Sequence, residues 1–354
     1  MLIIVKNIWK REEIITPLSR RFKGMILEQV KNCQSILDSI GNTPLLRLTK
    51  LFPGSRANFF GKLESANPAG SLKDRTSLLI LQNALKQGKI KPGDTIVESS
   101  SGNMALGLAQ ACLYLKLKLI VVVDPNLNKH TEKLLQAYGA RIEYIKEPLE
   151  EGGFLAARLD KVKFLLDEIP NSYWPNQYGN ADNPLAHHKT IEEIMTAMNG
   201  EVDYIFVSVS TCGTLMGYAD YINMHKLKTK LVAVDAEGSV LFGGEPDKRL
   251  IPGHGSAVPS QFLDRDLVHD HIAVSDLECI EGCWSLLKTE GILCGGSTGG
   301  VISAINKYNL EDDSNCVFLL CDKGERYLDT IYNKEWISSN FPDQILNDKS
   351  VIGW

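Results

Sequence analysis

From about residue 35 the chain alternates short apolar runs of strand length with longer segments whose apolar positions recur every three or four residues. Strands are predicted at 58–63, 94–99 ("DTIVES"), 117–124 ("LKLIVVVD"), 140–145 ("ARIEYI"), 203–209 ("DYIFVSV"), 230–236 ("KLVAVDA") and 316–320 ("CVFLL"). The run at 117–124 is apolar along most of its length, the pattern of a strand buried on both faces. Helices are predicted over 76–86, 105–114, 129–138, 154–169, 185–198 and 276–289, with another after Gly299. Gly88 closes the first, and Gly139 follows the third where a left-handed C-cap belongs. Repeated strand–helix alternation implies an α/β fold of parallel sheets covered by helices, with sites at the carboxyl ends of the strands. The polar, aromatic stretch "NSYWPNQYGNADNP" at 171–184 is the expected hinge between two lobes, and Gly152 and Gly153 also permit closure. Residues 1–34 hold no sustained period. Their charged runs "KREE" and "SRRFKG" fit a flexible arm or a strand added to a partner subunit, and Glu12 and Glu13 argue against a transit peptide.

With 354 residues, 44% of them hydrophobic, the chain is long enough for two lobes with sizeable cores. A formal charge of −5 argues against nucleic acid or an anionic membrane as partner, because neither attracts a mildly acidic surface; a small molecule is favoured. No apolar run reaches the roughly 18 residues of a membrane span. The apolar start at 1–5 is too short for a secretory signal, so a cytoplasmic location is expected. Eight cysteines, at 33, 112, 212, 279, 283, 294, 316 and 321, are scattered as reduced thiols would be. Cys279 and Cys283 stand four apart, but no neighbouring ligands complete a zinc set, and buried thiols rather than a metal site are expected.

Four polar or glycine-rich stretches fall where such a sheet places its site. In "NPAGSLKDR" at 67–75, Pro68 and Gly70 force a turn and Ser71 can cap a helix starting near Leu72. Lys73 then lies in the first helical turn, where the helix dipole disfavours an ammonium and suits an amine that must form a Schiff base. In "ESSSGNMALG" at 98–107, three hydroxyls, a glycine and an asparagine open a helix, as in a carboxylate or phosphate site; simple capping accounts for them equally well. "SVSTCGTLMG" at 208–217 can wrap a phosphate in the same way, and Asp235 ends the next strand. A dinucleotide site is nevertheless disfavoured, since no G-x-G-x-x-G register fits. Last, "EGILCGGSTGG" at 290–300 places four glycines in six residues, which is expected to let backbone approach a flat ligand, with Ser297 offering a neutral hydroxyl.

Together with "GNTPLLRL" at 41–48, these stretches resemble in order and spacing the pyridoxal-phosphate-dependent β-replacement enzymes of the cysteine synthase and cystathionine β-synthase type, over about 35–336. The resemblance implies a two-lobed, tryptophan-synthase-β-like fold (fold type II) of twisted, mostly parallel sheets. It implies an N-terminal extension at 1–34, a smaller substrate-gripping domain at 76–182, and a larger cofactor domain made of 35–75 plus 183–345. It also implies a homodimer and pyridoxal 5'-phosphate as cofactor. Lys73 matches the lysine that holds the cofactor as an aldimine and moves the α-proton, and Asn103 the partner of the cofactor's phenolic oxygen. Ser100, Ser101, Gly102, Asn103 and Met104 match the loop gripping the substrate α-carboxylate, and Gln177 a further partner of that carboxylate. Ser210, Thr211, Cys212, Gly213 and Thr214 match the phosphate cup, and Ser297 the hydroxyl at the pyridine nitrogen. A neutral serine there makes the ring a weaker electron sink than an acid would. The implied cycle is therefore β-elimination to an α-aminoacrylate followed by addition of a nucleophile.

Ser210 and Cys212 stand where the cysteine synthase cup has glycines, and Met104 where its gripping loop has threonine. These bulkier groups suggest a differently shaped second-substrate pocket. The stretches at 150–162, 173–183 and 234–255 resemble the branch of the family that joins O-phospho-L-serine to the amine of L-glutamate for siderophore-precursor biosynthesis, with Arg158, Tyr178 and Ser210 matching its substrate contacts. A helix-surface ion pair is the competing and less favoured account of Arg158. Within the family the alternatives are a cysteine synthase using sulfide with O-acetyl- or O-phosphoserine, and a cystathionine β-synthase, whose long form carries a further module for which the chain is too short. Outside catalysis, a non-catalytic relative is disfavoured by the presence of Lys73, Asn103 and Ser297.

Overall fold

The computed structural model describes residues 32–342. The arm or exchanged strand expected at 1–34 lies, up to residue 31, outside the described residues. The described residues fall into two units, 32–39 and 40–342. In the first, the described residues make a 3-10 turn, Ile36–Ser39, whose Asp38 accepts the Gln34 and Ser35 N–H groups at 3.1 and 2.9 Å.

The second unit is built on two sheets. The larger contains β1 (Leu45–Arg47), β2 (Asn58–Lys62), β7 (Tyr204–Ser208), β8 (Lys230–Ala236), β9 (Asp270–Val274) and β10 (Asn315–Leu319), in the order β1-β2-β10-β7-β8-β9. Only β1 runs antiparallel to its neighbour. The smaller sheet, β5-β4-β3-β6, is parallel throughout and is formed by β3 (Thr95–Ser99), β4 (Lys118–Val123), β5 (Arg141–Tyr144) and β6 (Ser172–Tyr173).

Strand periodicity sends alternate side chains of the larger sheet into two cores. Phe206, Val232, Val234 and Phe318 pack toward α8 (Asp276–Glu290) and α9 (Gly296–Lys307). Ile205, Ala233, Val317 and Leu319 pack toward α6 (His188–Ala197) and α7 (Gly213–Met224). In the smaller sheet Val97, Ile120 and Val122 meet Val162 and Leu165 of α4 (Gly153–Glu168). The remaining helices are α1 (Lys73–Lys86), α2 (Asn103–Tyr114), α3 (Lys129–Ala137), α5 (Asp182–Ala186) and α10 (Lys334–Asn340).

Three strands were not predicted: β1, β6 and β9. All are edge or near-edge pieces of two to five residues with half-polar patterns, so period-2 alternation is weak in them. The helix expected over 185–198 is instead two, broken at His187, whose side chain is drawn into a buried polar cluster. Helices α2 and α9 begin two or more residues earlier than predicted, because Asn, Gly and Ser at their starts hide the helix in propensity while tertiary contacts hold it, whereas α1 begins at Lys73, next to the start near Leu72 expected from Ser71.

Candidate active site

The carboxyl ends of β2, β3 and β7 lead into three of the four stretches singled out from the sequence, and the fourth, 290–300, joins α8 to α9. In the first, Gly70 takes φ +93°, and the Asp74 carboxylate closes the turn by accepting the Ala69 N–H at 2.6 Å and the Ser71 hydroxyl at 3.3 Å. Burial raises Asp74 to a pKa of about 6. Ser71 makes the expected capping bond: Leu72 already has helical dihedrals, and Ser71 Oγ accepts the Lys73 N–H at 3.2 Å. The segment leaving β10 zips onto this turn, with Leu72 N–H donating to Cys321 O at 3.0 Å and Lys323 N–H to Gly70 O at 3.2 Å.

Lys73 is the first residue of α1. Desolvation lowers its pKa; the thiols of Cys321 and Cys212 lie within its field, and burial pushes each of them up to about 12, so both are neutral. Among the described residues no carboxylate pairs with Lys73. The back of the same turn is different. Arg75 is buried and bonds Glu64 at 2.7 and 2.8 Å and Glu193 at 2.8 and 2.8 Å, and Lys62 joins Glu193 at 2.7 Å and the Thr43 carbonyl at 2.6 Å. These two glutamates raise the Arg75 pKa, and the two cations hold Glu193 down at about 2 against its own burial.

From β3 the chain passes through Ser100, Ser101 and Gly102 into α2, and Gly102 N–H donates to Ser100 Oγ at 3.4 Å. Helix α2 lies directly on α1: a Cβ at Gly107 would meet Ser77 Oγ and the Lys73 carbonyl, and the Ser77 hydroxyl donates to Met104 O at 3.4 Å. Asn103 Nδ2 donates to Asp322 Oδ2 at 2.8 Å, an oxygen that also accepts the Tyr327 hydroxyl at 2.6 Å. Asn103 Oδ1, Asp322 Oδ1 and Ser99 Oγ are enclosed without a protein partner.

Glu98, fully buried at the end of β3, ties the loop at 171–184 to this sheet. It accepts the Ser99 N–H at 2.8 Å, Trp174 Nε1–H at 3.1 Å and the Gln177 N–H at 3.4 Å, and burial raises its pKa to about 7. The loop expected as a hinge is thus bonded to the end of β3, and it contributes β6 and the start of α5.

In the cup, Ser210 is partly exposed and 211–214 are buried at the N-terminus of the twelve-residue α7. Cys212 takes φ +65°, a left-handed conformation that suits glycine. Asn183 braces the cup: its Nδ2 donates to Gln177 O at 2.7 Å and Thr211 Oγ1 at 3.3 Å, its Oδ1 accepts the Thr76 hydroxyl at 3.3 Å, and it leaves no room for a Cβ at Gly213. His187 Nε2 lies 3.2 Å from both Thr76 Oγ1 and Thr214 Oγ1, and burial keeps the ring neutral. One buried polar cluster thus joins the Lys73 helix, the cup and Gln177.

Ser297 lies in the first turn of α9, and its hydroxyl bonds Cys321 beside Lys73. The glycines around it require a correction. Gly299 and Gly282 bring α9 and α8 into backbone contact, a Cβ on Gly295 would strike Asp322, and one on Gly296 would strike Ile251. Close protein packing, not approach of a flat ligand, accounts for this glycine run.

Arg158 is not on the surface. Its side chain is 14% exposed, Nη1 lies 3.4 Å from Asp124 Oδ2, and Nε is enclosed without a partner, so an ordinary solvated helix pair does not describe it. Tyr178, whose pKa burial raises, feels the Arg158 charge, but no hydrogen bond joins Arg158 to the other candidates. Lys73, Asn103, Ser297, the cup and Gln177 are brought together. Cys279 and Cys283 are buried in the core beside α9. Sequence reasoning missed Glu98 as an anchor, Asn183, His187 and Asp322; an acid directly after the apolar strand β10 was the one visible signal.

The model of the pyridoxal-phosphate-dependent enzyme family matches residues 36–322, and the chain belongs to that family. It is 42% identical to the N-(2-amino-2-carboxyethyl)-L-glutamate synthase of Ralstonia nicotianae, across 86% of this chain and 91% of that one. The O-acetylserine-dependent cystathionine β-synthase of Helicobacter pylori superposes with a TM-score of 0.79 at 31% identity, covering 86% of this chain and 100% of its own. A hydrogen sulfide-producing enzyme of Fusobacterium nucleatum gives 0.78 at 30% identity, covering 84% and 100%. The chain is thus a fold type II pyridoxal-phosphate enzyme of the β-substitution class, and no helix among the described residues is long and apolar enough to cross a membrane. The residues present fit that cofactor: a helix N-terminus with small residues for a phosphate, an unpaired lysine, and an enclosed amide oxygen on Asn103 that lacks a protein partner.

Proposed function

We propose that this chain joins O-phospho-L-serine to L-glutamate, giving N-(2-amino-2-carboxyethyl)-L-glutamate and phosphate. The observation that carries the choice of nucleophile is the 42% identity, over 86% of the chain, to the Ralstonia nicotianae synthase bearing that product's name. Pyridoxal phosphate, when bound, supplies an aldehyde that captures amines and a ring that draws electrons from the carbon losing its proton. In this assignment Lys73 carries the cofactor and, as a neutral amine, takes the α-proton of the serine substrate and returns it after replacement. Desolvation and the lack of a carboxylate partner favour that neutral form. Backbone N–H groups at 100–104 and the Gln177 side chain hold the α-carboxylate. The Asn103 amide orients the cofactor's phenolic oxygen, the cup at 210–214 takes its phosphate, and Ser297 meets its ring nitrogen with a hydroxyl too weakly acidic to keep it protonated.

The β C–O bond breaks with its electron pair leaving on phosphate. The glutamate amine then forms the C–N bond and gives up a proton, while Arg158, Tyr178 and Ser210 receive anionic groups of the substrates. Residues 76–182 act as the smaller gripping lobe and 35–75 with 183–345 as the larger, in a cytoplasmic homodimer whose product enters siderophore-precursor biosynthesis. The test is to supply the loaded protein with O-phospho-L-serine and either L-glutamate or sulfide, and to identify products by mass spectrometry. One phosphate per molecule of the glutamate adduct is expected; cysteine from sulfide with no glutamate adduct would replace this function with that of a cysteine synthase.

A further inference from the structure

The loop after β8 carries an arginine that the preceding assignment does not use. Arg249 is half-buried, and its Nη1 donates to the His254 carbonyl at 3.1 Å, while its Nε is enclosed without a partner. Two bonds hold this loop against the cup: Gly255 N–H donates to Val209 O at 2.7 Å, one residue before Ser210, and His254 Nδ1 lies 2.8 Å from Ser208 Oγ. Arg249 is therefore anchored at the cup's edge. Among the described residues no carboxylate forms an ion pair with it. Asp235 feels its charge but is engaged by Ser239 and the Ala236 N–H. A half-buried guanidinium left without an anion costs stability unless a ligand supplies the charge.

Arg249 shares a neighbour with a second cation. Tyr178 lies in the field of Arg158, from α4, and of Arg249, from the cup side. Arg158 already has Asp124 at 3.4 Å, whereas Arg249 has no such neighbour. With Arg158 already beside Asp124, Arg249 is the cation left for a further carboxylate, which a dicarboxylate nucleophile carries beyond its α-carboxylate. We infer that Arg249 is a specificity-determining residue that binds the side-chain carboxylate of the incoming dicarboxylate amine at the edge of the cup. This rests on glutamate being the nucleophile.

The test uses the cofactor-loaded full chain and the variants Arg249→Gln, which keeps a donor for the His254 carbonyl, and Arg249→Lys, which keeps the charge. Single-turnover phosphate release from O-phospho-L-serine is timed separately from consumption of L-glutamate, and L-glutamine is run as the nucleophile that keeps the shape and loses the charge. For Arg249→Gln the KM for L-glutamate is expected to rise about 10- to 100-fold, with a much smaller change in phosphate release, and the preference for glutamate over glutamine to collapse. Arg249→Lys should restore part of that preference. Equal losses with glutamate and glutamine, a matching loss in phosphate release, or weakened cofactor binding instead would each overturn the inference. Failure of the unmodified enzyme to consume L-glutamate at all would overturn the proposed function, and this inference with it.

Discussion

Two cations stand two residues apart in the first turn of α1 and meet opposite surroundings. Arg75, on the back, is held by Glu64 and Glu193, and through Glu193, which also accepts the Asn42 N–H and pairs with Lys62, the network ties together the turn at 41–43, the end of β2 and α6. Lys73, on the front, has neutral thiols and hydroxyl-bearing loops about it and no anion. The difference shows how one helical turn is made rigid and reactive at once. Charge is compensated where position matters and left uncompensated where chemistry is done.

The sharpest way to separate the two faces is to remove each cation. Lys73→Ala should lower turnover by about 10²- to 10⁴-fold or more, the scale of a lost proton-transfer group, and abolish the visible band of the loaded protein, while thermal unfolding stays near that of the parent. Arg75→Ala should do the reverse in stability. It strands Glu64 in the interior, leaves Glu193 paired only with Lys62 among the described residues, and should cost about 3–5 kcal/mol, read by denaturant unfolding. Glu193 carries a depressed pKa of about 2, so its contribution is complete above the ordinary value of 4.5 and disappears as pH falls toward 2; the variant should lose that part of the acid-unfolding profile.

Next in size, Arg158→Ala should weaken consumption of L-glutamate about 10- to 100-fold but slow phosphate release less; equal losses in separate half-reaction assays would count against its role. Glu98 offers a pH test in the opposite sense to Glu193. Its pKa of about 7 lies above the ordinary 4.5, so between these values the folded state binds more protons than the unfolded one and stability falls as pH rises. Glu98→Gln should flatten the melting temperature between pH 4.5 and 7. The smallest effect concerns Cys212. At φ +65° glycine is unstrained and alanine is not, so Cys212→Gly should be more stable than Cys212→Ala by about 1 kcal/mol, in denaturant unfolding.

Much of this architecture was readable along the chain. The strands β4, β7, β8 and β10, buried over most of their length, announce themselves as apolar runs, because a polar side chain there needs a buried partner. Edge strands β1, β6 and β9 are half-solvated and short, and their pattern fades accordingly. Lys73 was legible because a turn, a hydroxyl and a lysine at a helix start have a shared chemical sense. Asn183, His187 and Glu98 were not, since a buried polar residue is marked by its partners, and Thr76, Thr214 and Trp174 are distant in sequence. The glycines at 295–300 misled for a related reason: sequence shows that backbone must come close to something, but not whether that something is a ligand or α8.

The most direct test of the central claim, that Lys73 and no other lysine is the reactive amine, is to load the protein with pyridoxal phosphate, reduce with borohydride, digest, and locate the cofactor-modified peptide by mass spectrometry. Lys62 is the informative competitor, being buried nearby but bonded to Glu193 and Thr43. The account predicts one modified site, Lys73; modification of Lys62 or another lysine, or none at all, would contradict it.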